Sequence, residues 1–325
     1  MELSVVKSRA LTGLSAPPVQ VETHLSNGLP AFTIVGMPET AVRESKERVR
    51  SAIINSHFDF PDRRITINLA PADLPKEGGR FDLPIALGIL AASRQLPPAR
   101  LNTCEFLGEL ALDGGLRPVP GIVCAALAAD ADGNALVIPS ASSATGARIP
   151  DARILPASDL LTLCAHLNGS VPLEPVPHVT DSVEASYPDL DEVVGQDSAR
   201  RALEVAASGG HNLLLTGPPG TGKTLLAARL PGILPPPSPE EALVSLALRD
   251  FRGTATVREA ASRPFRSPHH SASAAALIGG GSMPLPGEVS LAHGGVLFLD
   301  ELPEFQRHCL ESLREPLESG QITLS

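Results

Sequence analysis

The octapeptide at residues 217–224 constrains the fold of this chain more than any other segment. Its sequence, Gly-Pro-Pro-Gly-Thr-Gly-Lys-Thr, fits the pattern G-x-x-x-x-G-K-[ST] of phosphate-binding loops. The apolar run 212–216 before it predicts a buried strand, and residues 225–230 after it predict the start of a helix. A strand, a glycine-rich loop and a helix in this order surround phosphate oxygens with backbone N–H groups and a helix N-terminus.

The loop therefore predicts an ATP site. We expect Lys223 to reach the outer phosphates and the Thr224 hydroxyl to bind Mg²⁺. The residues predicted to bind the nucleotide are Gly217, Pro218, Pro219, Gly220, Thr221, Gly222, Lys223 and Thr224.

A second motif follows the apolar run 296–299, which predicts another buried strand. Asp300 and Glu301 come directly after it, in a Walker B arrangement. We expect Asp300 to hold Mg²⁺ with Thr224, and Glu301 to act as general base on the attacking water. An acidic pair at this place is also compatible with a solvated strand end, but the upstream loop favours the nucleotide site. The predicted catalytic residues are Lys223 and Glu301, and the predicted cofactors are ATP and Mg²⁺.

The bulk composition limits the other classes of function. A chain of 325 residues suggests about two domains, and its 43% hydrophobic content suffices for sizeable cores. Aromatic residues make up only 3%, too few for a platform on which nucleic-acid bases stack. The net charge is −10, and neither half is basic, so DNA binding would require a local patch or the pore of an oligomer.

The four cysteines, Cys104, Cys124, Cys164 and Cys309, form no C-x-x-C pair, so we expect buried thiols rather than zinc ligands or disulfides. The N-terminus lacks a signal-peptide core, and no apolar run reaches 18 residues. These features predict a cytoplasmic protein without membrane partners.

A proline-rich stretch at 171–188 predicts a linker between a first domain, 1–170, and a second domain, 189–325. In the second domain a helical pattern covers 196–206 and ends at Gly209-Gly210. In the first domain the predicted strands are 19–23, 31–35, 65–69 and 105–110, and the predicted helices are 39–55, 83–94 and 121–132.

Gly195-Gln196-Asp197, together with the phosphate loop, resembles AAA+ ATPases. The segments 263–270, 276–281, 286–301, 304–305 and 313–318 are similar to the magnesium-chelatase branch of that class, specifically the YifB/ComM group. The resemblance implies an α/β and α+β fold class. Its N-terminal part would be a Lon-protease-like α+β domain, followed by an incomplete P-loop AAA+ αβα domain.

The first domain differs from Lon at the positions of the two catalytic residues. Residues 74–83 resemble the Lon segment that carries the nucleophilic serine, whose position is Arg80 here. Residues 108–114 and 118–121 resemble the segment of the partner lysine, whose position is Val123. Neither side chain can form a Ser–Lys pair, so we expect the fold without protease activity. Lys76, Arg80 and Asp82 then form either a structural ion network or a contact surface for DNA or a partner.

The segment Arg266-Ser267-Pro268-His269-His270 invites a metal-site interpretation. Adjacent side chains on an extended strand point to opposite faces, and no acidic or cysteine partner lies at ligand spacing. We therefore expect a loop that faces the nucleotide, a substrate or a neighbouring subunit.

The sequence ends at Ser325, just after the Walker B helix. The resemblance implies further parts: a sensor strand, a trans-acting arginine and a helical lid. In the family's strand order, 5-1-4-3-2, the sensor strand lies between the strand of the phosphate loop and the strand of Asp300. We thus expect a truncated second domain that is poorly ordered alone, with proteolytic cuts in 171–188 and 235–295.

The resemblance implies a homo-oligomeric, hexameric motor ATPase that acts on DNA, with branch migration in recombination during natural transformation. Two alternatives stay open, a magnesium-chelatase-type ATPase subunit and a nucleotide-binding remnant without hydrolysis. The Lon-like module favours the first of the three.

Overall fold

The computed structural model describes residues 2–37, 39–179, 186–253, 262–280 and 285–322. The chain divides into two compact units, Met1–Thr180 and Asp181–Ser325. The strands of the first unit are β1 (Leu3–Arg9), β2 (Pro18–Ser26), β3 (Ala31–Val35), β4 (Arg64–Ala70), β5 (Cys104–Phe106), β6 (Glu109–Leu110), β7 (Leu116–Arg117), β8 (Ala135–Pro139) and β9 (Ile154–Ala157). Its helices are α1 (Thr40–Asn55), α2 (Asp82–Ala92), α3 (Ile122–Ala131), α4 (Ser143–Gly146) and α5 (Leu160–Asn168).

The second unit contains shorter elements. Its helices are α6 (Asp197–Gly209), α7 (Lys223–Ala227), α8 (Leu230–Ile233), α9 (Pro239–Phe251), α10 (Ala274–Ile278), α11 (Glu288–Leu291), α12 (Arg307–Ser312) and α13 (Arg314–Ser319). Its strands are β10 (Phe265–Arg266), β11 (Gly279–Gly280), β12 (Leu285–Pro286) and β13 (Val296–Leu297).

The first unit is built on a seven-stranded sheet in the order β3-β4-β2-β1-β5-β8-β9. The pairs β1–β2 and β2–β4 are antiparallel, and the other four pairs are parallel. Parallel strands need crossover segments: α1 connects β3 to β4, α3 lies between β5 and β8, and α4 lies between β8 and β9. The unit is therefore a mixed α/β structure with a mostly parallel sheet.

Period-two alternation explains the antiparallel part of this sheet. In β2, Val19, Val21, Thr23 and Leu25 point inward, and the residues between them are more exposed. Helix α2 shows no such asymmetry, because all eleven of its residues are buried. A helix that is apolar all round belongs in the centre of a core, and α2 packs on β1, β2 and α1.

The predicted strands 19–23, 31–35 and 65–69 correspond to β2, β3 and β4, and the three predicted helices correspond to α1, α2 and α3. The prediction of one strand over 105–110 is wrong. The amide of Gly108 donates to the Arg80 carbonyl at 3.2 Å, and its carbonyl accepts from the Leu83 amide at 3.1 Å. These bonds take the chain out of the sheet, so that β5 ends at Phe106 and β6 pairs with β7.

The first part of the predicted linker lies against the first unit. The Val176 amide donates to Ile154 O at 2.9 Å, and the Val179 amide donates to Ala147 O at 2.8 Å. Residues 180–185 lie outside the described part of the chain. We therefore expect proteases to spare residues 176–179, contrary to a cut anywhere in 171–188.

In the second unit, the prediction of a buried strand at 212–216 is wrong. These residues have no regular secondary structure, and the side chain of Leu214 is 71% exposed. A strand exists only where a neighbour satisfies its backbone groups, and no strand of the described residues pairs with this segment. The strand predicted at 296–299 is reduced to β13, which pairs in parallel with β10 and is half-buried.

Both helices predicted for the second unit are present, with somewhat different bounds. The helix predicted at 196–206 is α6, and Gly210 ends it in a left-handed conformation at φ 62°. The helix predicted from Leu225 begins at Lys223 but ends at Ala227, and α8 follows after a turn. A capping box between Ser238 and Glu241 starts α9.

The four cysteines are free and buried, which confirms the prediction made for them. Within the described residues, no helix is long and apolar enough to cross a bilayer.

Candidate nucleotide site

The glycine-rich loop leaves backbone donors available at the start of α7. Gly220 and Gly222 lie in the left-handed region, at φ 79° and 83°. The Thr221 hydroxyl donates to Pro218 O at 2.9 Å and closes the loop. The amides of residues 220–222 donate to no backbone or side-chain acceptor within the described chain. A run of free amides before a helix N-terminus forms a concave anion site.

Gln196 ties this loop to α6. It has a left-handed backbone, at φ 57°, and its Nε2 donates to Thr221 O at 3.0 Å. The Gly195-Gln196-Asp197 motif signals the family resemblance in the sequence, but nothing in its spacing predicts this contact with the loop. Gln196 thus joins the site as a residue that supports the loop.

Lys223 folds over the loop that precedes it. Its Nζ donates to the carbonyl oxygens of Gly217 and Pro218, at 2.9 and 3.0 Å. The ammonium group is therefore held beside the free amides of the loop. Both features present positive charge to the same small region, which suits a polyphosphate.

Thr224 and Asp300 are brought into direct contact although 76 residues separate them. The Thr224 hydroxyl donates to Asp300 Oδ2 at 2.9 Å. Thr224 lies in the first turn of α7, and Asp300 follows β13. A hydroxyl and a carboxylate are the oxygen donors that Mg²⁺ prefers. The donor set of loop amides, ammonium, hydroxyl and carboxylate therefore fits a magnesium nucleotide.

Glu301 extends from the same turn as Asp300. Its backbone is left-handed, at φ 53°, and its amide donates to Asp300 Oδ1 at 3.0 Å. The side chain is 66% exposed, and its Oε2 lies 3.4 Å from Nδ1 of His270. Sequence reasoning placed the histidine segment near the nucleotide only as one of three options, and it did not pair it with Glu301.

The two histidines do not point to opposite faces, so that prediction is wrong. Their ring centroids are 4.0 Å apart, and His269 Nδ1 lies 2.8 Å from the Ser271 hydroxyl. The chain turns at His270 instead of continuing as a strand, which brings the rings together. Within the residues that the structure describes, no group of three or more His, Cys, Asp or Glu side chains could hold a metal ion.

Comparison with known proteins places both units in one family. A profile described as magnesium chelatase, subunit ChlI, matches residues 189–325, and a profile described as subunit ChlI of Mg-chelatase matches residues 21–142. A protein named YifB from Salmonella typhimurium is 55% identical over 327 residues, which cover 100% of this chain and 64% of that protein. The competence protein ComM of Haemophilus influenzae is 51% identical over 334 residues, covering 100% of this chain and 65% of ComM.

This chain belongs to the YifB/ComM family of magnesium-chelatase-like proteins. It spans about 64% of the length of YifB. The family is of the AAA+ type and implies the use of nucleotide and Mg²⁺. An archaeal Lon protease of Halobacterium salinarum is 37% identical over 68 residues, which cover 20% of this YifB/ComM chain and 10% of that protease. The likeness to Lon is therefore partial.

The Lon-like segments of this YifB/ComM protein meet in the structure without forming a catalytic pair. Arg80 is buried, and its Nη2 donates to Pro120 O at 2.6 Å, two residues before α3. Val123 lies in the first turn of α3 and is fully buried. The guanidinium therefore stabilises the chain beside the position that lysine occupies in Lon.

Lys76, Arg80 and Asp82 do not form the predicted surface, because all three are buried. They also do not form a network with one another. Lys76 donates to Pro71 O, and burial lowers the pKa of its ammonium group. Asp82 pairs instead with Arg48, which donates from Nε at 2.7 Å and from Nη2 at 3.1 Å. The three residues are separate anchors inside the first unit.

Asp82 should make the stability of the first unit depend on pH. Burial raises the pKa of this carboxyl from 3.8 to about 6, although Arg48 and the Leu110 amide oppose the rise. Between these two values the folded state binds more protons than the unfolded state, so stability falls as pH rises. We expect Asp82 to lower the free energy of unfolding by about 2 kcal/mol between pH 4 and 7.

Urea unfolding of the wild type and of Asp82→Asn at a series of pH values measures this effect. The difference between the two proteins removes the contribution of every other titrating group. A difference that stays constant from pH 4 to 7 would contradict the assignment.

Proposed function

We propose that this protein is an AAA+ ATPase and that residues 217–224, Asp300 and Glu301 form its Mg²⁺–ATP site. The observation that carries the proposal is the 2.9 Å contact between the Thr224 hydroxyl and Asp300 Oδ2. The two residues belong to motifs that are 76 residues apart in the sequence. Together they offer a hydroxyl and a carboxylate, the oxygen ligands that suit Mg²⁺. Membership in the YifB/ComM family supports the same assignment.

Each side chain has a separate task in this proposal. The amides of residues 220–222 and Lys223 bind phosphate oxygens, because they present positive charge to one small region. Thr224 and Asp300 hold the metal. When bound, Mg²⁺ neutralises negative charge on the phosphate oxygens of ATP, which supplies the transferred phosphoryl group. Glu301 accepts a proton from water, and Oε1 is available for this because His270 faces Oε2.

Lys223→Ala tests the binding part of the proposal. We expect the affinity for Mg²⁺–ATP to fall by about 10- to 100-fold, because one charge-assisted interaction with phosphate is lost. Fluorescence titration with a labelled ATP analogue measures it. Lys46→Ala, which removes a lysine of the first unit, is the matched control and should bind as the wild type does. Equal affinity of all three proteins would remove the loop from the proposed site.

We further propose that ATP turnover is coupled to DNA, in a homo-oligomeric ring. The support is the 51% identity with ComM, whose name assigns it to competence. Magnesium chelation is the second candidate, favoured by the chelatase descriptions of both matching profiles. ATP turnover should be compared without additions, with linear duplex, with branched DNA, and with a porphyrin plus Mg²⁺. Stimulation by branched DNA alone supports the first candidate, and stimulation by the porphyrin arm supports the second.

A further inference from the structure

We propose that His270 is the positioning residue for Glu301, holding its carboxylate in the orientation in which it accepts a proton from water. The inference rests on the proposed ATPase function and adds a residue to its machinery. Nδ1 of His270 and Oε2 of Glu301 are 3.4 Å apart. Among the described residues, the Glu301 side chain makes no hydrogen bond or other ion pair.

The sheet register places these two residues opposite each other. In the parallel pair β10–β13, Phe265 lies beside Val296 and Arg266 beside Leu297. The Phe298 amide donates to Arg266 O at 2.8 Å, which continues the ladder past the strand ends. The same offset along the chain joins His270 to Glu301. Parallel strands end at a common edge, so the residues that follow them meet there.

The loop that carries His270 is fixed at both ends. Before it, Arg266 makes a bidentate ion pair with Glu288, with N···O distances of 2.6 and 2.8 Å. After it, Ser273 caps α10 by accepting from the Ala276 amide at 3.2 Å. Leu277 of α10 is fully buried against Phe305 and Cys309. His270 is therefore presented from a fixed loop, with the His269 ring packed against its own.

Glu301 needs such a partner more than Asp300 does. Asp300 is held by the Thr224 hydroxyl, whereas the Glu301 side chain is 66% exposed and has three rotatable bonds. Displacing a catalytic group by about 1 Å can lower the rate by about 100-fold. A single contact at Oε2 restricts the carboxylate and leaves Oε1 free for water.

The contact is too exposed to matter for folding. Exposed ion pairs contribute about 0–1 kcal/mol to stability, and the His270 side chain is itself 35% exposed. Loss of the imidazole should consequently affect catalysis and not the melting temperature. This separates a positioning role from a structural one.

The test uses the intact gene product with Mg²⁺–ATP. We expect His270→Ala to lower kcat about tenfold, with ATP affinity and melting temperature unchanged. His270→Asn should recover most of the loss, because Asn Nδ2 occupies the position of the imidazole Nδ1. In a Glu301→Gln background, His270→Ala should cause no further loss, since the group it positions is no longer a base. His308→Ala, which removes an exposed histidine of the same unit, is the control and should keep the wild-type kcat.

The outcomes separate this inference from the function on which it rests. Wild-type protein that binds ATP but never hydrolyses it overturns both. Active wild type with an unchanged or raised kcat in His270→Ala overturns the positioning role alone. A tenfold loss that persists in the Glu301→Gln background also overturns it, because His270 would then act on another group. Weaker ATP binding by His270→Ala, measured by the same fluorescence titration, would assign it to nucleotide binding instead.

Discussion

Glu301→Gln is expected to keep the affinity for Mg²⁺–ATP within about twofold while lowering kcat by about 10²- to 10⁴-fold. The amide has the size of the carboxylate but is not a base. The groups proposed to bind the phosphates and Mg²⁺ are Lys223, Thr224 and Asp300, and none of them contacts the Glu301 carboxylate. Binding and chemistry should therefore separate in this variant. Phosphate release at saturating ATP gives kcat, and titration with labelled ATP gives the affinity.

Glu304→Gln is the matched control for this experiment. Glu304 is an exposed carboxylate on the short helical turn Leu302–Glu304, three residues after Glu301. The Glu304→Gln variant should hydrolyse ATP at the wild-type rate. If Glu301→Gln kept more than about a tenth of the wild-type kcat, Glu301 would lose its assignment as general base.

Gly88→Ala is expected to destabilise the first unit by about 1–2 kcal/mol, although alanine is the better helix former. In an exposed helix this substitution stabilises by about 1 kcal/mol. Gly88 is buried in α2, and a Cβ there would lie far inside van der Waals contact with Thr23 Oγ1 and 3.3 Å from Thr23 Cβ. Overpacking in a rigid core costs about 1–3 kcal/mol and here exceeds the gain in propensity. Urea unfolding of the purified variant and of the wild type measures the change in the free energy of unfolding.

A double-mutant cycle with Thr23 tests the cause. The Thr23 hydroxyl is buried without a hydrogen-bond partner among the described residues, so Thr23→Ala alone should change stability little. Thr23→Ala also removes the atom that the new methyl group would meet. The double variant should then approach wild-type stability, with a coupling of about 1–2 kcal/mol. Additive effects would show that Gly88 acts through the backbone rather than through this contact.

The features predicted correctly are those whose signal lies within a few neighbouring residues. The alternation in β2 and β4 predicts both strands, because their inward residues face one core. The phosphate loop and the acidic pair carry their signals within a few residues, and the structure places Thr224 and Asp300 together. The roles of these residues stay predictions until they are measured.

The incorrect predictions concern contacts between residues that are far apart in the sequence. An apolar run such as 212–216 becomes a strand only if another strand lies beside it, and no local pattern reveals whether one does. Likewise, Asp82 is paired with Arg48 of α1 rather than with the neighbouring Arg80, because the packing of α1 on α2 decides which cation approaches. The contact of His270 with Glu301 depends on the pairing of β10 with β13, which neither segment specifies alone.

Because β10 pairs in parallel with β13, the distance from β10 to His270 depends on the length of the loop between them more than on its sequence. One residue inserted between Arg266 and His270 would lengthen the segment that connects β10 to His270 and move the imidazole away from Glu301. Thr224 and Asp300 lie on other segments and would keep their contact. Substitutions at residues 267 and 268 should accordingly accumulate among homologues, while insertions and deletions between Arg266 and His270 should be rare. Where one does occur, we expect a protein that still binds ATP but turns it over slowly.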